Sequence, residues 1–437
     1  MGNPFCSTHE DPRTKQQIQS IQYKRKNEYN STPLNKPIYS QAEEQKKCYN
    51  RNASCKFNYK RNHNENTIKI NQPKNKDDYL VSSSAYVSGL NYSHNSNISN
   101  SRITSKKENI YNNITINNDL CGIKNVGNNC YLNSGLQILA RSDIFVNKLI
   151  PFNNNKFPFT AILYQAFESL LNKKVYDPSL FIKYFCQKNQ DFIIGEQSCS
   201  QNFIRTVLNN VNDEIKSSST NCLYSYKNYN PKNPNEIAAY NNYIRENHIF
   251  PESDALNTFT GILKSHTYGV CKCKNVFDKN TFCYFIDQNM YLDNIYQKCY
   301  FKKVIEENLP PNNEIEMECE KCKKMMKLTE ETKLVKLPEI LVFTLERFLG
   351  GVNKVEIIPD DILDLQNYAD PNLTGVETLY ELFAINIRFG STKNWGHEIC
   401  QIKINGYWYE FNDSSTNFKK RDYFDCSYGL YYRRIRS

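Results

Sequence analysis

Apolar residues recur with a regular period from about residue 119 to the last residue and nowhere before it, and this break decides how much of the chain can fold. Up to residue 118 the chain is rich in Asn, Ser, Lys and Tyr, as in "NYSHNSNISNSRITSKKENIYNNITINN". Such a stretch cannot bury enough apolar surface to offset the entropy of ordering it, so residues 1–118 are expected to form a disordered tail. Charge divides at the same place. Residues 1–118 hold 18 Lys+Arg against 9 Asp+Glu, so of the 55 and 46 in the whole chain, 37 of each fall in 119–437. The folded part is neutral and the basic excess lies in the tail. A diffuse basic tail is usually only solvated, so no nucleic-acid partner is expected.

No apolar run reaches the roughly 18–20 residues needed to span a bilayer, and no hydrophobic signal segment leads the chain. The 16 cysteines are scattered rather than framed at short spacings, which suits reduced thiols in the cytosol and/or nucleus. The opening "MGNPFCS" offers Gly2 to a myristoyl and Cys6 to a palmitoyl group as a membrane tether, although Cys6 stands where Ser or Thr is usual. A plain disordered terminus is the favoured reading there.

Beyond the break, "KNVGNNCYLNS" places Cys130 after a turn and ahead of Leu132, Leu136 and Leu139 at helical spacing. Asn128 and Asn129 are cap candidates, and a cysteine in a first helical turn meets free N–H groups and a dipole that favour thiolate. Helical patterns continue through "FTAILYQAFESLLNK", "PSLFIKYFCQK" and "CSQNFIRTVLNNVNDEI", and 216–250 reads as an irregular insertion. The remainder reads as strands. "FAINIRF" alternates, with Phe383, Ile385, Ile387 and Phe389 on one face and Ala384, Asn386 and Arg388 on the other. Helices first and an antiparallel sheet later make an α+β chain.

The stretch "GHEICQIKINGYWYEFND" carries the most specific local signal. Asn405-Gly406 predicts a type I′ hairpin, because both central residues need positive φ. Ile404 then faces Tyr407, Asn412 lies opposite Ile399, and His397 shares a face with Ile399. His397 and Asn412 are diagonal neighbours about 7–8 Å apart at the backbone, within side-chain reach, while Asp413 points to the other face. A lone His is usually structural. A thiol at a helix start, a His and an in-register Asn together make the set a cysteine protease uses: nucleophile, base and ring-orienting amide.

These residues are recognisable as a group. "GIKNVGNNCYLNSGLQIL" resembles the Cys box of the ubiquitin-specific proteases, "GHEICQIKINGYWYEFNDSS" is similar to their His box, and "YGLYYRR" resembles their closing strand. "CEKCKKMMKLTEETKLVKLPEILVFTLERF" and "NKVEIIPDDILDL" match the region between. The resemblance covers about 120–437 and implies a papain-like cysteine protease domain over 119–437, with thumb, palm and fingers, the fingers at about 262–335. It implies Cys130 as nucleophile, His397 as base, Asn412 as its orienting residue and Asn125 as the oxyanion-hole side chain. The implied reaction is hydrolysis of the isopeptide bond after the last glycine of ubiquitin, by a monomer without a catalytic cofactor. The alternative is a weakly active or non-catalytic module that binds a ubiquitin-like modifier.

The resemblance also implies a structural zinc held by Cys271, Cys273, Cys319 and Cys322. Cys319-x-x-Cys322 has knuckle spacing, whereas Cys271-x-Cys273 is one residue short, which is expected to strain it. In "QSCSQNF", Cys199 and Asn202 replace acids that in the family help receive the arginines of the ubiquitin tail. Glu398 replaces an aromatic residue beside the catalytic His. Its carboxylate is expected either to line the tail channel or to face solvent.

Overall fold

A computed structural model describes residues 120–171, 175–218, 228–247, 253–348, 351–390 and 395–436. The expected tail, with Gly2 and Cys6, lies outside the described residues. The first part is helical: α1 (Cys130–Ala140), α2 (Asp143–Leu149), α3 (Pro158–Leu170), α4 (Ser179–Lys188) and α5 (Ser200–Ile215). Every residue of α1 is buried, so it is a central helix rather than a surface one. Along α5, Phe203, Ile204, Val207, Leu208, Val211 and Ile215 form one apolar stripe turned inward. The two helices touch closely at Gly135, where an added Cβ would stand 2.5 Å from Phe203 Cδ1. An aromatic cluster fills the space behind them, with Phe185 edge-on to Phe203 at 5.0 Å and to Phe192 at 4.9 Å.

Helix α6 (Pro234–Asn247) follows, so the stretch expected to be irregular carries a helix. Its sequence hides the period because few of its apolar residues are needed: it docks through Tyr240, Tyr243 and Ile244 against Phe282 and Tyr284. A buried charge cluster completes the contact. Lys264 Nζ lies 2.6 Å from Glu236 Oε1 and also pairs with Asp370, while Tyr229 donates to Glu236.

Strands β1 (Gly261–Val270) and β2 (Val276–Phe285) form a long hairpin. Strand β3 (Gln288–Tyr291) leaves for a second sheet, β4 (Cys299–Tyr300) leads into α7 (Phe301–Asn308), and β5 (Asn313–Glu318) and β6 (Met325–Lys336) rejoin the first. The resulting sheet has the order β2-β1-β6-β5. The larger sheet is built from β3, β7 (Ile340–Glu346), β9 (Ile362–Asp364), β10 (Leu379–Phe389), β11 (His397–Ile404), β12 (Tyr407–Asn412), β13 (Ser415–Phe418) and β14 (Ser427–Arg434). Its order is β13-β12-β11-β10-β14-β7-β3, with β9 on β10 and only β3 against β7 parallel; β8 (Ile357–Ile358) pairs with β4.

The larger sheet separates two cores. Phe383, Ala384, Cys400, Ile402 and Tyr431 pack with the helices, and Leu382, Ile385, Ile387, Ile399, Leu430 and Tyr432 pack on the other side. Phe383 therefore does not share the face of Ile385 and Ile387. The pairing of β10 with β14 shifts register between Leu382 and Ala384, and a bulge there reverses the alternation. Among the described residues, no helix is long and apolar enough to cross a membrane.

Candidate active site

Cys130 is the first residue of α1 and is 3% exposed. The loop before it is shaped by its asparagines. Asn128 takes a left-handed φ of 51°, a conformation Asn tolerates better than most residues, and its Nδ2 donates to Gly195 O at 2.8 Å. Asn129 occupies the cap position without capping. Its Oδ1 instead accepts from Val126 N–H at 2.7 Å, and its Nδ2 donates to Asn133 Oδ1 at 2.8 Å. The short amide finds a nearer partner in the loop than in the helix. The loop is stitched to the far end of the chain, with Ile123 N–H donating to Asp413 O at 2.7 Å. Gly122 is required there, because a Cβ would lie 2.3 Å from Ser414 O.

The hairpin forms as its turn residues dictate. Asn405 and Gly406 have φ of 51° and 82°, and the pairs run from Ile404↔Tyr407 to Cys400↔Phe411. His397 and Asn412 consequently meet, and His397 Nε2–H donates to Asn412 Oδ1 at 2.8 Å. That bond fixes the ring and leaves Nδ1 for the Cys130 thiol, which acts on the imidazole. The thiol bond lifts the His397 pKa to about 9, with burial opposing and Asn412 adding to the rise. Asp413 turns out of the strand with φ 49°. Its two oxygens accept from Asn125 Nδ2 at 2.9 Å and Asn133 Nδ2 at 2.8 Å. The structure thus brings Cys130, His397, Asn412 and Asn125 to one place. Asn129, Asn133 and Asp413 were not foreseen as support; the four-residue spacing of Asn129 and Asn133 on a helix start was the available signal.

Cys271, Cys273, Cys319 and Cys322 meet at the tip of the smaller sheet, all four Sγ atoms within 4.8 Å of one another. Two turns of matching design present them. Cys271 N–H donates to Asn275 O and Lys274 N–H to Cys271 O, while Cys319 N–H donates to Lys324 O and Lys323 N–H to Cys319 O, all at 2.8–2.9 Å. In each turn the second cysteine directly precedes a left-handed lysine, Lys274 at φ 64° or Lys323 at φ 58°. The shorter spacing is therefore absorbed inside the first turn. The Cys319 thiol is drawn down to about 6, first by the backbone N–H of Cys322 directed at it, with burial opposing.

A family model described as ubiquitin carboxyl-terminal hydrolase matches residues 121–432. The chain belongs to this family. Ubiquitin carboxyl-terminal hydrolase 12 of Salmo salar is 25% identical over 332 residues, which are 72% of this chain and 86% of that protein. Probable ubiquitin carboxyl-terminal hydrolase 4 of Schizosaccharomyces pombe is 25% identical over 356 residues, 72% of this chain and 58% of that one. The fold is similar to that in the structure of the SAGA Ubp8/Sgf11/Sus1/Sgf73 DUB module bound to ubiquitin aldehyde, with a TM-score of 0.55 at 20% identity over 74% of this chain and 71% of that chain.

Within this ubiquitin carboxyl-terminal hydrolase fold, the departures seen in the sequence have definite places. Cys199 is buried at the start of α5, where Tyr428 O–H reaches its Sγ at 4.0 Å. Asn202 is exposed, and its Oδ1 accepts from Arg205, which also grips Asp287 with two bonds of 2.6 and 2.5 Å. Glu398 neither lines a channel nor faces solvent. It is 1% exposed and paired with Arg388, itself 3% exposed. Strand alternation does turn it away from His397, but that side is covered by α5 rather than by water. Burial pushes its carboxyl pKa up, and Arg388 opposes.

Proposed function

We propose that this chain is a thiol-dependent deubiquitinating hydrolase that cleaves the isopeptide bond after the last glycine of ubiquitin. The observation that carries the reading is the Cys130–His397–Asn412 alignment, in which the thiol meets one ring nitrogen and the amide holds the other. The thiol proton passes to His397 as Sγ attacks the glycine carbonyl carbon. The resulting oxyanion is stabilised by the Asn125 amide and by the free N–H groups opening α1, with Asp413 holding Asn125 in place. Collapse breaks the C–N bond, and the imidazolium returns its proton to the leaving lysine amine. Water, deprotonated by His397, then hydrolyses the thioester. The similar DUB module, whose structure was solved bound to ubiquitin aldehyde, supports ubiquitin or ubiquitinated proteins as partners.

The four fingertip cysteines fit a structural zinc. Tetrahedral Zn–S bonds of about 2.3 Å separate the sulfurs by roughly 3.8 Å, and the sulfur pairs Cys271–Cys322 and Cys273–Cys319 stand at 3.5 and 3.7 Å. Bound there, the metal would supply folding free energy and no step of the reaction. A cytosolic or nuclear location rests on the scattered spacing of the cysteines, which suits reduced thiols.

The test is incubation with ubiquitin bearing a C-terminal electrophile. Labelling of the intact chain, lost in Cys130→Ala, is expected. A chain that binds ubiquitin yet is never labelled would overturn the hydrolase reading in favour of a binding module.

A further inference from the structure

We propose that Glu398 is a positioning residue for His397, its buried pairing with Arg388 tying the base-bearing strand to the helix that sets the nucleophile. The inference rests on the reading of Cys130 and His397 as nucleophile and base. Arg388 and Glu398 lie opposite each other on β10 and β11, one step from the Phe389↔His397 pair. Glu398 Oε2 accepts from Ser200 N–H at 3.2 Å and from Asn386 Nδ2 at 3.3 Å. Arg388 Nη1 also donates to Ser198 O at 3.2 Å. On the other side of His397, Gly396 N–H donates to Gln197 Oε1 at 2.9 Å. Both chain neighbours of His397 are thus fastened to residues 197–200, the entry of α5, and Gln201 Nε2 donates to Tyr431 O–H of β14 at 3.1 Å.

Helix α5 in turn meets α1 at the Gly135–Phe203 contact, five residues from Cys130. A continuous path, His397–Glu398–Ser200–α5–α1–Cys130, therefore sets the separation of thiol and imidazole independently of their own hydrogen bond. Stability alone is a poor reason for such a pair, since desolvating two charges cancels most of their attraction and an apolar pair of similar volume often serves as well. What an apolar pair lacks is direction. The carboxylate aims at one N–H at the start of α5, and the guanidinium at one carbonyl beside it.

The groups facing His397 are Cys130 from α1 and Asn412 and Asp413 from the hairpin; those facing Glu398 are Arg388 from β10, Cys400 from β11, Tyr428 and Tyr431 from β14, Cys199 at the entry of α5 and Tyr131 from α1. A shift in His397 behaviour after a change at 398 must therefore travel through the strand or through α5 and α1 to Cys130, not by direct contact.

The experiment uses the full chain in two forms, Glu398→Gln and the apolar pair Arg388→Met with Glu398→Leu. It measures kcat and KM on a fluorogenic ubiquitin C-terminal amide, the pH profile of Cys130 alkylation by iodoacetamide, and the melting midpoint. A misplacement of the order of 1 Å predicts a kcat loss of about tenfold to a hundredfold in both, with KM nearly unchanged. The pH profile of alkylation should change with the kcat loss in both variants, because the imidazole no longer meets the thiol in the same position. The apolar pair, free of any unpaired buried charge, should melt close to the unmodified chain while showing the same kcat loss. An apolar-pair variant that melts normally and keeps both kcat and the alkylation profile would overturn the proposal, whatever Glu398→Gln does. Because iodoacetamide needs no ubiquitin, that result is distinguishable from a failure of the substrate reading.

Discussion

The molecule carries two thiol centres built on opposite principles. At the tip of the smaller sheet, four cysteines sit on two hairpin turns, each closed by its own backbone hydrogen bonds and each ended by a left-handed lysine. At the larger sheet, Cys130 depends on partners far away in the chain: His397 and Asn412 on a hairpin, and Asp413 bonded to Asn125 across 288 positions. The first centre is specified locally, on two turns whose four sulfurs could hold a metal ion. The second exists only when the whole domain has folded. Damage to the tip should therefore be separable from damage to the chemistry.

The largest effect is expected from Cys130→Ala, which should abolish hydrolysis while leaving metal content unchanged. It should also lower the His397 pKa, because the thiol bond is the first cause of the rise to about 9. Imidazole NMR titration checks this. The sign of the linked stability follows: a folded pKa above the unfolded value of about 6.5 stabilises fully below pH 6.5, and the contribution is lost as pH rises through about 9. The stability gap between the intact chain and Cys130→Ala should narrow over that window.

Next comes the polar support. Asn412→Ala should lower kcat by about 10²–10⁴-fold through a mis-aimed ring, more than Asp413→Ala. Asp413 bonds Asn125 with one oxygen and Asn133 with the other; with holding Asn125 as its main catalytic part, adding Asp413→Ala to Asn125→Ala should cost little beyond the roughly 10²–10³-fold of the first change. Additive losses in kcat would show that Asp413 has a separate role.

A smaller effect on catalysis, and a clear one on stability, is expected from Cys319→Ser with Cys322→Ser. Elemental analysis should show zinc in the intact chain and its loss in the variant, with a lower melting midpoint and near-normal kcat at low temperature. Equal losses of kcat and stability would join the two centres that the structure separates. The smallest effect is at Lys323→Gly. Relieving the left-handed strain of a lysine at φ 58° should stabilise the tip by about 1 kcal/mol, read as a rise in the denaturation midpoint.

The parts legible in the sequence are those with local causes. Asn405-Gly406 set the register that joins His397 to Asn412, and the run after Cys130 announced its helix. What escaped was non-local. Glu398 and Arg388 look like surface charges on an alternating strand until α5 covers that face. The bulge at Phe383 leaves no mark in "FAINIRF" because Phe383 and Ala384 are both apolar and both faces of β10 are buried. Helix α6 escaped because a few tyrosines and one buried charge cluster hold it in place of a long apolar stripe.

The complete burial of α1 also sets a clock. A surface helix frays at its ends on its own schedule, whereas the amides of an enclosed helix reach solvent only when the domain opens. From Asn133 onward, where its amides are hydrogen-bonded, α1 has no such private route. Heat inactivation and global unfolding should then run at one rate, with slowly exchanging amides lying within a turn or two of the nucleophilic sulfur.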